Sequence, residues 1–180
     1  MSLRELLNAV GPKGHVFLTV FLVLPFLQPI PLPGVSTVFG ITIAFVGGFM
    51  ALGRAPWLPD RFGRVVVESS TLFRICSALE KIMSKLEWLV KPRGRAIFDQ
   101  TWFRRTNGAL LFVHGLIMAA PLPIPFSNFL PALVLFLVAL GSLEEDVWMI
   151  VAGYFAVVVN AAFFAALVIL PYYGIKLMNS

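Results

Sequence analysis

The sequence predicts an all-α integral membrane protein with an internal duplication. Its hydrophobic fraction is 59%, its mean hydropathy is +0.89, and only 13% of its residues are charged. These values exceed what a soluble domain of this length usually carries. A motif of three prolines at alternate positions also occurs twice, at residues 29–33 and 121–125, each time inside an apolar region. The 180 residues therefore suit a single membrane domain, residues 1–180.

Each proline motif interrupts a helix. Proline lacks a backbone N–H and clashes with the preceding turn, so three alternate prolines exclude a regular helix. The flanking apolar stretches are about 12 to 15 residues long, which is too short for a crossing, and lie at 16–27, 38–52, 109–120 and 129–140. We therefore expect two proline-broken hairpins made of half-helices or re-entrant segments. The open alternative is a pair of ordinary hairpins whose tips lie in water.

A full membrane span is expected only near the end of the chain. Residues 147–170 are apolar and contain no charge. As a helix they would rise about 36 Å, which is enough to cross the hydrocarbon with some tilt. The sequence thus predicts one full terminal transmembrane helix.

The two proline motifs indicate a repeat. Shifting the sequence by 92 positions superimposes the motifs proline on proline and also pairs Leu18 with Leu110. We predict two repeats, at about 5–91 and 97–173, each with two short helices joined at the proline motif. Inverted and parallel repeats both remain open.

The centre of the chain is basic. Residues 54–105 contain most of the 14 Lys and Arg residues, and the positive-inside rule predicts that this region is cytoplasmic. Apolar residues recur at helical spacing between Leu72 and Leu89, which predicts an amphipathic interfacial helix. Its basic face would attract anionic headgroups, or its apolar face would pack on the protein itself. The lone Cys76 excludes an internal disulfide.

Small polar residues follow both proline motifs. Such residues favour helix starts, whose free amide groups and positive dipole end would point into the break. Discontinuous helices in duplicated halves are a pointer to a transporter site. We therefore predict a site for an ion or polar solute, lined by Pro31, Ser36, Thr37, Pro123, Ser127 and Asn128.

Charged residues follow the second short helix of each repeat. At the 92-residue shift, Arg54 aligns with Asp146, the last residue of an acidic run. In parallel repeats these loops would share a face and could form ion pairs, whereas solvated loop charges are the simpler alternative. The candidate gating or ion-pair residues are Arg54, Glu144, Glu145 and Asp146.

Motifs for catalysis are missing from the sequence. It has no phosphate-binding glycine loop, no His or Cys set at metal-ligand spacing, and no nucleophile beside a base. We expect no enzyme activity, no metal and no cofactor. Membrane topology accounts for the basic region, so we expect no nucleic-acid partner. His114 and Asn160 lie in apolar stretches, where a structural role is the simpler interpretation.

Three stretches carry a family resemblance: LGRAPWLP at 52–59, PIPFSNFLPA at 123–132 and LGSLEED at 140–146. Together with the proline breaks, they make the chain similar to the bacterial ExoD family of exopolysaccharide synthesis. The resemblance implies a protein of the cytoplasmic (inner) membrane that is associated with exopolysaccharide production. It implies no catalytic residues.

The sequence therefore predicts a multi-pass inner-membrane transporter or channel for an ion or small polar solute. A homodimer is expected, because one chain has few helices with which to enclose a pathway. The alternative is a non-transporting accessory factor that assists exopolysaccharide synthesis through its basic cytoplasmic face.

Overall fold

The computed structural model describes residues 14–27, 34–54, 91–120, 124 and 126–178, and the predicted all-α fold is confirmed for them. The helices are α1 (Gly14–Val23), α2 (Val35–Ala51), α3 (Arg95–Phe98), α4 (Thr101–Ala119), α5 (Phe129–Glu144) and α6 (Val147–Met178), and a 3-10 turn, Leu24–Leu27, extends α1. The predicted amphipathic helix between Leu72 and Leu89 lies outside the described residues.

Helix lengths follow the apolar pattern. The helices α2 and α5 have 17 and 16 residues, whereas α6 has 32. Within the described part of the chain, one segment is long and apolar enough to cross a membrane, Val147–Leu167 of α6. Only 22% of its most apolar window is buried inside the protein. The core helix of a soluble protein would be mostly buried, so α6 instead presents an apolar outer surface.

The helices α2 and α4 pack backbone against backbone through glycines. A Cβ atom added to Gly40 would lie 2.6 Å from the Gly115 carbonyl oxygen, and one added to Gly47 would lie 2.7 Å from the Gly108 carbonyl oxygen. Residue numbers rise along α2 as they fall along α4, so the two helices are antiparallel. Only residues without a side chain permit this approach.

Helix α5 is the central element of the core. It packs on α1, α4 and α6, and nine of its residues are buried. Gly141 lies against Ile150 and Val138 against Gly153, so α5 is antiparallel to α6. The apolar composition of α5 follows from this burial on several sides.

Residues with a left-handed backbone conformation precede and follow both α2 and α5 at corresponding positions. Gly34 (φ 86°) precedes α2 and Phe126 (φ 65°) precedes α5. Gly53 (φ 68°) follows α2 and Glu145 (φ 57°) follows α5. Each pair is separated by 92 positions, the spacing of the proline motifs.

Both helices also end with the same hydrogen bond. The Arg54 N–H donates to the Phe49 carbonyl at 2.9 Å, and the Asp146 N–H donates to the Gly141 carbonyl at 2.9 Å. A bond of this type, made around a left-handed residue, is the Schellman helix ending.

Candidate functional site

The predicted lining residues lie at the starts of α2 and α5. Ser36 and Ser127 are buried, with 1% and 2% of their surface exposed. Thr37 and Asn128 are half-buried. Pro31 and Pro123, the remaining members of the predicted set, lie outside the described residues.

Neither α2 nor α5 has a side-chain cap at its N-terminus. Gly34 holds the N-cap position of α2 and has no side chain with which to accept a bond. Asn128 holds the N-cap position of α5, but its side chain makes no capping bond. Its Oδ1 atom is buried and has no hydrogen-bond partner among the described residues. Neither first turn therefore has its amide groups satisfied by an N-cap side chain.

The start of α2 lies level with the end of α4. Gly40 is in contact with Ala119, the last residue of α4, and the antiparallel arrangement places Ser36 one turn beyond that end. The second proline motif begins directly after this point in the sequence.

The start of α5 lies level with the middle of α6. The contact of Val138 with Gly153 fixes the antiparallel register, and extending it by nine residues brings Phe129 level with Ala162. The 3-10 turn that ends α1 also packs on α5. The starts of α2 and α5 thus lie at one end of the molecule, although α2 packs chiefly on α4 and not on α5.

The opposite end of the molecule is basic. The Arg105 guanidinium lies beside Gly53 at the end of α2, with Nη2 at 3.2 Å from the position a Cβ would take. Arg95 Nε forms an ion pair of 2.7 Å with Glu145 Oε2 at the end of α5. Because residues 95–105 meet both helix ends, α2 and α5 run in the same direction.

Asp146 is the fully buried member of the acidic run. Its Oδ2 accepts from the Lys91 N–H and its Oδ1 accepts from the Trp148 N–H, both at 2.9 Å. It therefore caps the start of α6 and attaches the preceding basic segment. Of the other predicted ion-pair residues, Arg54 is exposed and Glu144 is half-buried. Gating by these residues stays a prediction.

A cavity of about 480 Å³ separates α4 from α6. It is lined by Val113, His114, Ile117, Ala120, Val157, Asn160, Ala161 and Phe164. The sequence reasoning treated its two polar residues, His114 and Asn160, as structural. Their occurrence in otherwise apolar helices is the signal that could have identified them. Within the described chain, no group of three or more His, Cys, Asp or Glu residues is arranged to hold a metal ion.

Comparison with known proteins links the chain to exopolysaccharide synthesis. The family model described as "Exopolysaccharide synthesis, ExoD" matches residues 1–166. The chain is 36% identical over 168 residues to Protein ExoD of Rhizobium meliloti (strain 1021), which covers 93% of this chain and 70% of that protein. It is 29% identical over 147 residues to an uncharacterized protein of Synechocystis sp., covering 81% of this chain and 68% of the relative. No solved structure matches it.

Proposed function

This chain belongs to the ExoD family, and we propose that it is a small transporter or channel of the inner membrane, linked to exopolysaccharide production. It moves an ion or small polar solute through a site at the starts of α2 and α5. The observation that carries the proposal is the pair of parallel helices that begin, without side-chain caps, beside buried polar residues.

The outer surface of α6 supports embedding in a bilayer. Phe155 and Val158, near the middle of this helix, are largely exposed on the protein surface. A continuous apolar helix with exposed aromatic and aliphatic side chains suits contact with lipid chains. The basic end, with Trp102 and Trp148 exposed beside it, suits the cytoplasmic headgroup region.

The duplication is supported by the helix boundaries and by the packing. Left-handed residues recur 92 positions apart on both sides of α2 and α5. The second helix of each repeat packs on the first helix of the other, α2 on α4 and α5 on α1. The shared direction of α2 and α5 favours parallel repeats over inverted ones. The extents of the repeats, about 5–91 and 97–173, stay a prediction.

The rise along α6 gives the depth of the start of α5 in the proposed membrane arrangement. From Val147, at the basic end, to Ala162, level with the start of α5, the helix rises about 22 Å. The hydrocarbon core of a bilayer is about 30 Å thick. With the basic end at the headgroups, the start of α5 would lie inside the hydrocarbon, which supports a re-entrant hairpin there.

The chemistry of the site follows from its backbone. The first-turn amides of α2 lack a side-chain cap, whereas in α5 the Leu130 N–H donates to the Phe126 carbonyl and Pro131 has no N–H. The amides of α2 and the positive dipole at both helix starts favour an anion or the oxygen atoms of a polar solute. Asn128 Oδ1 lacks a partner among the described residues, so it is available to a donor carried by a solute or its hydration shell. A homodimer would supply the additional helices needed to enclose a pathway.

Flux through liposomes that contain the purified full-length chain tests the proposal. Chloride is the anion probe and potassium is the cation probe. We expect flux of one of them above empty liposomes, and a loss of about fivefold or more in the Ser36→Ala and Asn128→Ala variants, since each removes a polar contact.

Two hydroxyl residues of the same helices provide matched controls. Thr42 Oγ1 donates to the Val38 carbonyl in α2, and Ser142 Oγ donates to the Val138 carbonyl in α5. Because these bonds stay within each helix, Thr42→Val and Ser142→Ala should leave the flux unchanged. Flux that is equal in all four variants, or absent for both ions, would contradict the transport proposal.

The collection of basic residues at one end favours a second candidate, a non-transporting accessory factor in exopolysaccharide synthesis. Arg93, Arg95, Arg104 and Arg105 are all exposed there. Each could contribute about 1 kcal/mol of binding free energy toward a surface of anionic headgroups. Exopolysaccharide yield that falls in an Arg104→Gln/Arg105→Gln variant, while the purified wild-type chain supports no flux, would favour this candidate.

A further inference from the structure

The cavity between α4 and α6 contains a buried amide oxygen without a partner. Asn160 is 98% buried, since only 2% of its surface is exposed. Its Oδ1 atom has no hydrogen-bond partner within the described part of the chain. Buried polar atoms nearly always have partners, so an exception calls for a physical explanation.

The second polar group of the cavity is also arranged as an acceptor. His114 Nδ1 lies 3.0 Å from the Leu110 carbonyl oxygen. A carbonyl can only accept, so Nδ1 carries the proton. In the neutral ring this leaves the lone pair on Nε2. The cavity therefore offers acceptors at Asn160 and His114 and calls for a molecule that donates.

The remaining lining is apolar and the cavity opens sideways. Val113 and Ala161 lie on the protein surface at its edge, and Val157, Ile117 and Phe164 complete the walls. On the basic side, the Tyr154 hydroxyl donates to Asn107 Oδ1 at 2.8 Å and joins α4 to α6. The opening thus faces the surface that contacts lipid in the proposed membrane arrangement.

We propose that this cavity binds a single-chain lipid with a terminal hydroxyl group, whose chain fills the apolar walls and whose O–H donates to Asn160. None of the described residues that line the cavity is a carboxylate, so a charged ammonium donor would be buried there without an opposite charge, which is unfavourable. A neutral hydroxyl avoids this cost. The inference rests on the membrane embedding proposed above and not on transport.

Photoreactive cetyl alcohol is the probe, and its methyl ether is the matched probe that lacks the donor. The purified full-length chain in lipid nanodiscs is irradiated with each, and the labelled residues are mapped by mass spectrometry. We expect the alcohol to label residues of the cavity wall about fivefold more than the ether does, the factor that one hydrogen bond typically supplies. Equal labelling by both probes would overturn the donor assignment and would fit a bound water instead.

Adjacent alanines of α6 give a matched pair of variants. Ala161 lines the cavity, whereas Ala162 is exposed beside it and does not. We expect Ala161→Phe to abolish labelling of the walls by filling the cavity and Ala162→Phe to leave it unchanged. Labelling that persists in Ala161→Phe would overturn the site.

The Asn160→Leu variant separates ligand binding from folding. It should raise the melting temperature of the chain without probe, because it removes an unpaired polar atom, and should reduce labelling by the alcohol to that by the ether. A melting temperature that falls would show that Asn160 has a protein partner and would overturn the proposal. Alkaline extraction of membranes tests the premise that the chain is embedded in the bilayer. If the chain stays in the membrane but the alcohol probe does not label the cavity, the result contradicts the lipid site and leaves the proposed transport function untouched.

Discussion

At the residue scale, the helix ends at the basic face depend on Asp146. Its carboxylate is fully buried and satisfies two backbone amides, those of Lys91 and Trp148. The Arg93 N–H donates to the neighbouring Glu145 carbonyl, and the Val147 N–H donates back to the Arg93 carbonyl. These bonds fasten the basic segment to the turn between α5 and α6, so Asp146 is a structural residue of that end.

Removing the carboxylate should therefore destabilise the protein. We expect Asp146→Ala to lower the free energy of unfolding by about 3 kcal/mol, since it leaves two buried amides without acceptors. Asp146→Asn keeps one acceptor oxygen and should cost about half as much. SDS-induced unfolding followed by circular dichroism measures both. Glu144→Ala, on the half-buried preceding residue, is the control and should change stability by less than about 0.5 kcal/mol. Equal stability of the Ala variant and the wild type would contradict this role.

Phe126 stores backbone strain directly after the second proline motif. A residue with a Cβ at positive φ costs roughly 1–2 kcal/mol, and glycine relieves it. The Phe126 ring also packs edge-on against Phe129, with centroids 6.2 Å apart. The Phe126→Gly and Phe126→Ala variants both lack the ring. The difference between their free energies of unfolding therefore reports the cost of the left-handed backbone at residue 126. We expect the Gly variant to be more stable than the Ala variant by about 1 kcal/mol in the same unfolding assay. The reverse order would show that residue 126 does not adopt the left-handed conformation.

The sequence predicted some of these residues and not their roles. The proline motifs located Ser36 and Ser127 at helix starts, where both are buried. Neither helix has a side-chain cap, because Gly34 holds the N-cap position in α2 and the Asn128 side chain makes no capping bond in α5. From the sequence, both an ion pair and a solvated loop charge remain open for Asp146. Its partners are backbone amides of a segment distant in sequence, and such contacts cannot be deduced from charge patterns.

At the element scale, the closest contact of the fold is that between α2 and α4. Small residues recur in α2 at four-residue spacing, at Gly40, Ala44 and Gly48, a pattern that favours a close helix neighbour. The structure gives α2 such a neighbour, but the contact passes through Gly47, whereas Gly48 faces only the Phe112 ring. The line of contact depends on the crossing angle with a partner that the sequence does not identify.

Alanine substitutions at the adjacent residues Gly47 and Gly48 should therefore have different effects on stability. A Cβ on Gly47 would lie 2.4 Å from the Phe112 backbone nitrogen, and that backbone cannot yield without moving α4. A Cβ on Gly48 would lie 3.3 Å from a ring carbon, which can rotate away. We expect Gly47→Ala to destabilise the protein by about 3 kcal/mol or more through overpacking. Gly48→Ala should be neutral or stabilising by up to about 1 kcal/mol through helix propensity. Similar effects of both substitutions would contradict the backbone contact.

Helix α4 shows how far apolar stretches can predict an element. The sequence placed a short helix at 109–120, whereas α4 begins at Thr101. Its first turns expose Arg104 and Arg105 while they bury Phe103, so mean hydropathy is low there although the helix is continuous. The length of an apolar stretch reports only the part of a helix that is buried in lipid or in the protein core. It does not include the polar turns by which α4 extends into the basic end.

At the scale of the whole molecule, the helices divide into two ends. The basic end contains the ends of α2 and α5 and the starts of α4 and α6. Arg104 lies within electrostatic range of His15, so the start of α1 lies there as well. The other end contains the starts of α2 and α5, while α6 continues past the start of α5 to Met178. Sequence patterns predicted the short helices and the long helix, whereas the proline-broken hairpins stay a prediction. The common direction of α2 and α5 depends on contacts between helices, which the sequence does not identify.

This division predicts which surface positions water reaches in a membrane. Leu52, at the end of α2, and Val35, at its start, are both exposed on the protein surface. In a Cys76→Ser background, a membrane-impermeant maleimide should label the Leu52→Cys variant from the cytoplasmic side. It should not label Val35→Cys from either side, because about 26 Å of α2 separates the two positions and the hydrocarbon core, about 30 Å, is thicker.

Position 35 tests water access to the start of α2 more directly than position 36, where Ser36 is buried. The side chain of Val35 is exposed, so labelling there does not depend on access through the proposed site. Labelling of both variants after denaturation in SDS controls for the reactivity of the thiols. Labelling of Trp148→Cys from the same side as Leu52→Cys would support the parallel arrangement of the hairpins, since Trp148 follows the end of α5. Rapid labelling of Val35→Cys from the side opposite to Leu52→Cys would mean that the hairpin tips reach water. The helix starts would then lie outside the hydrocarbon, and the transport site proposed there would lose its physical basis.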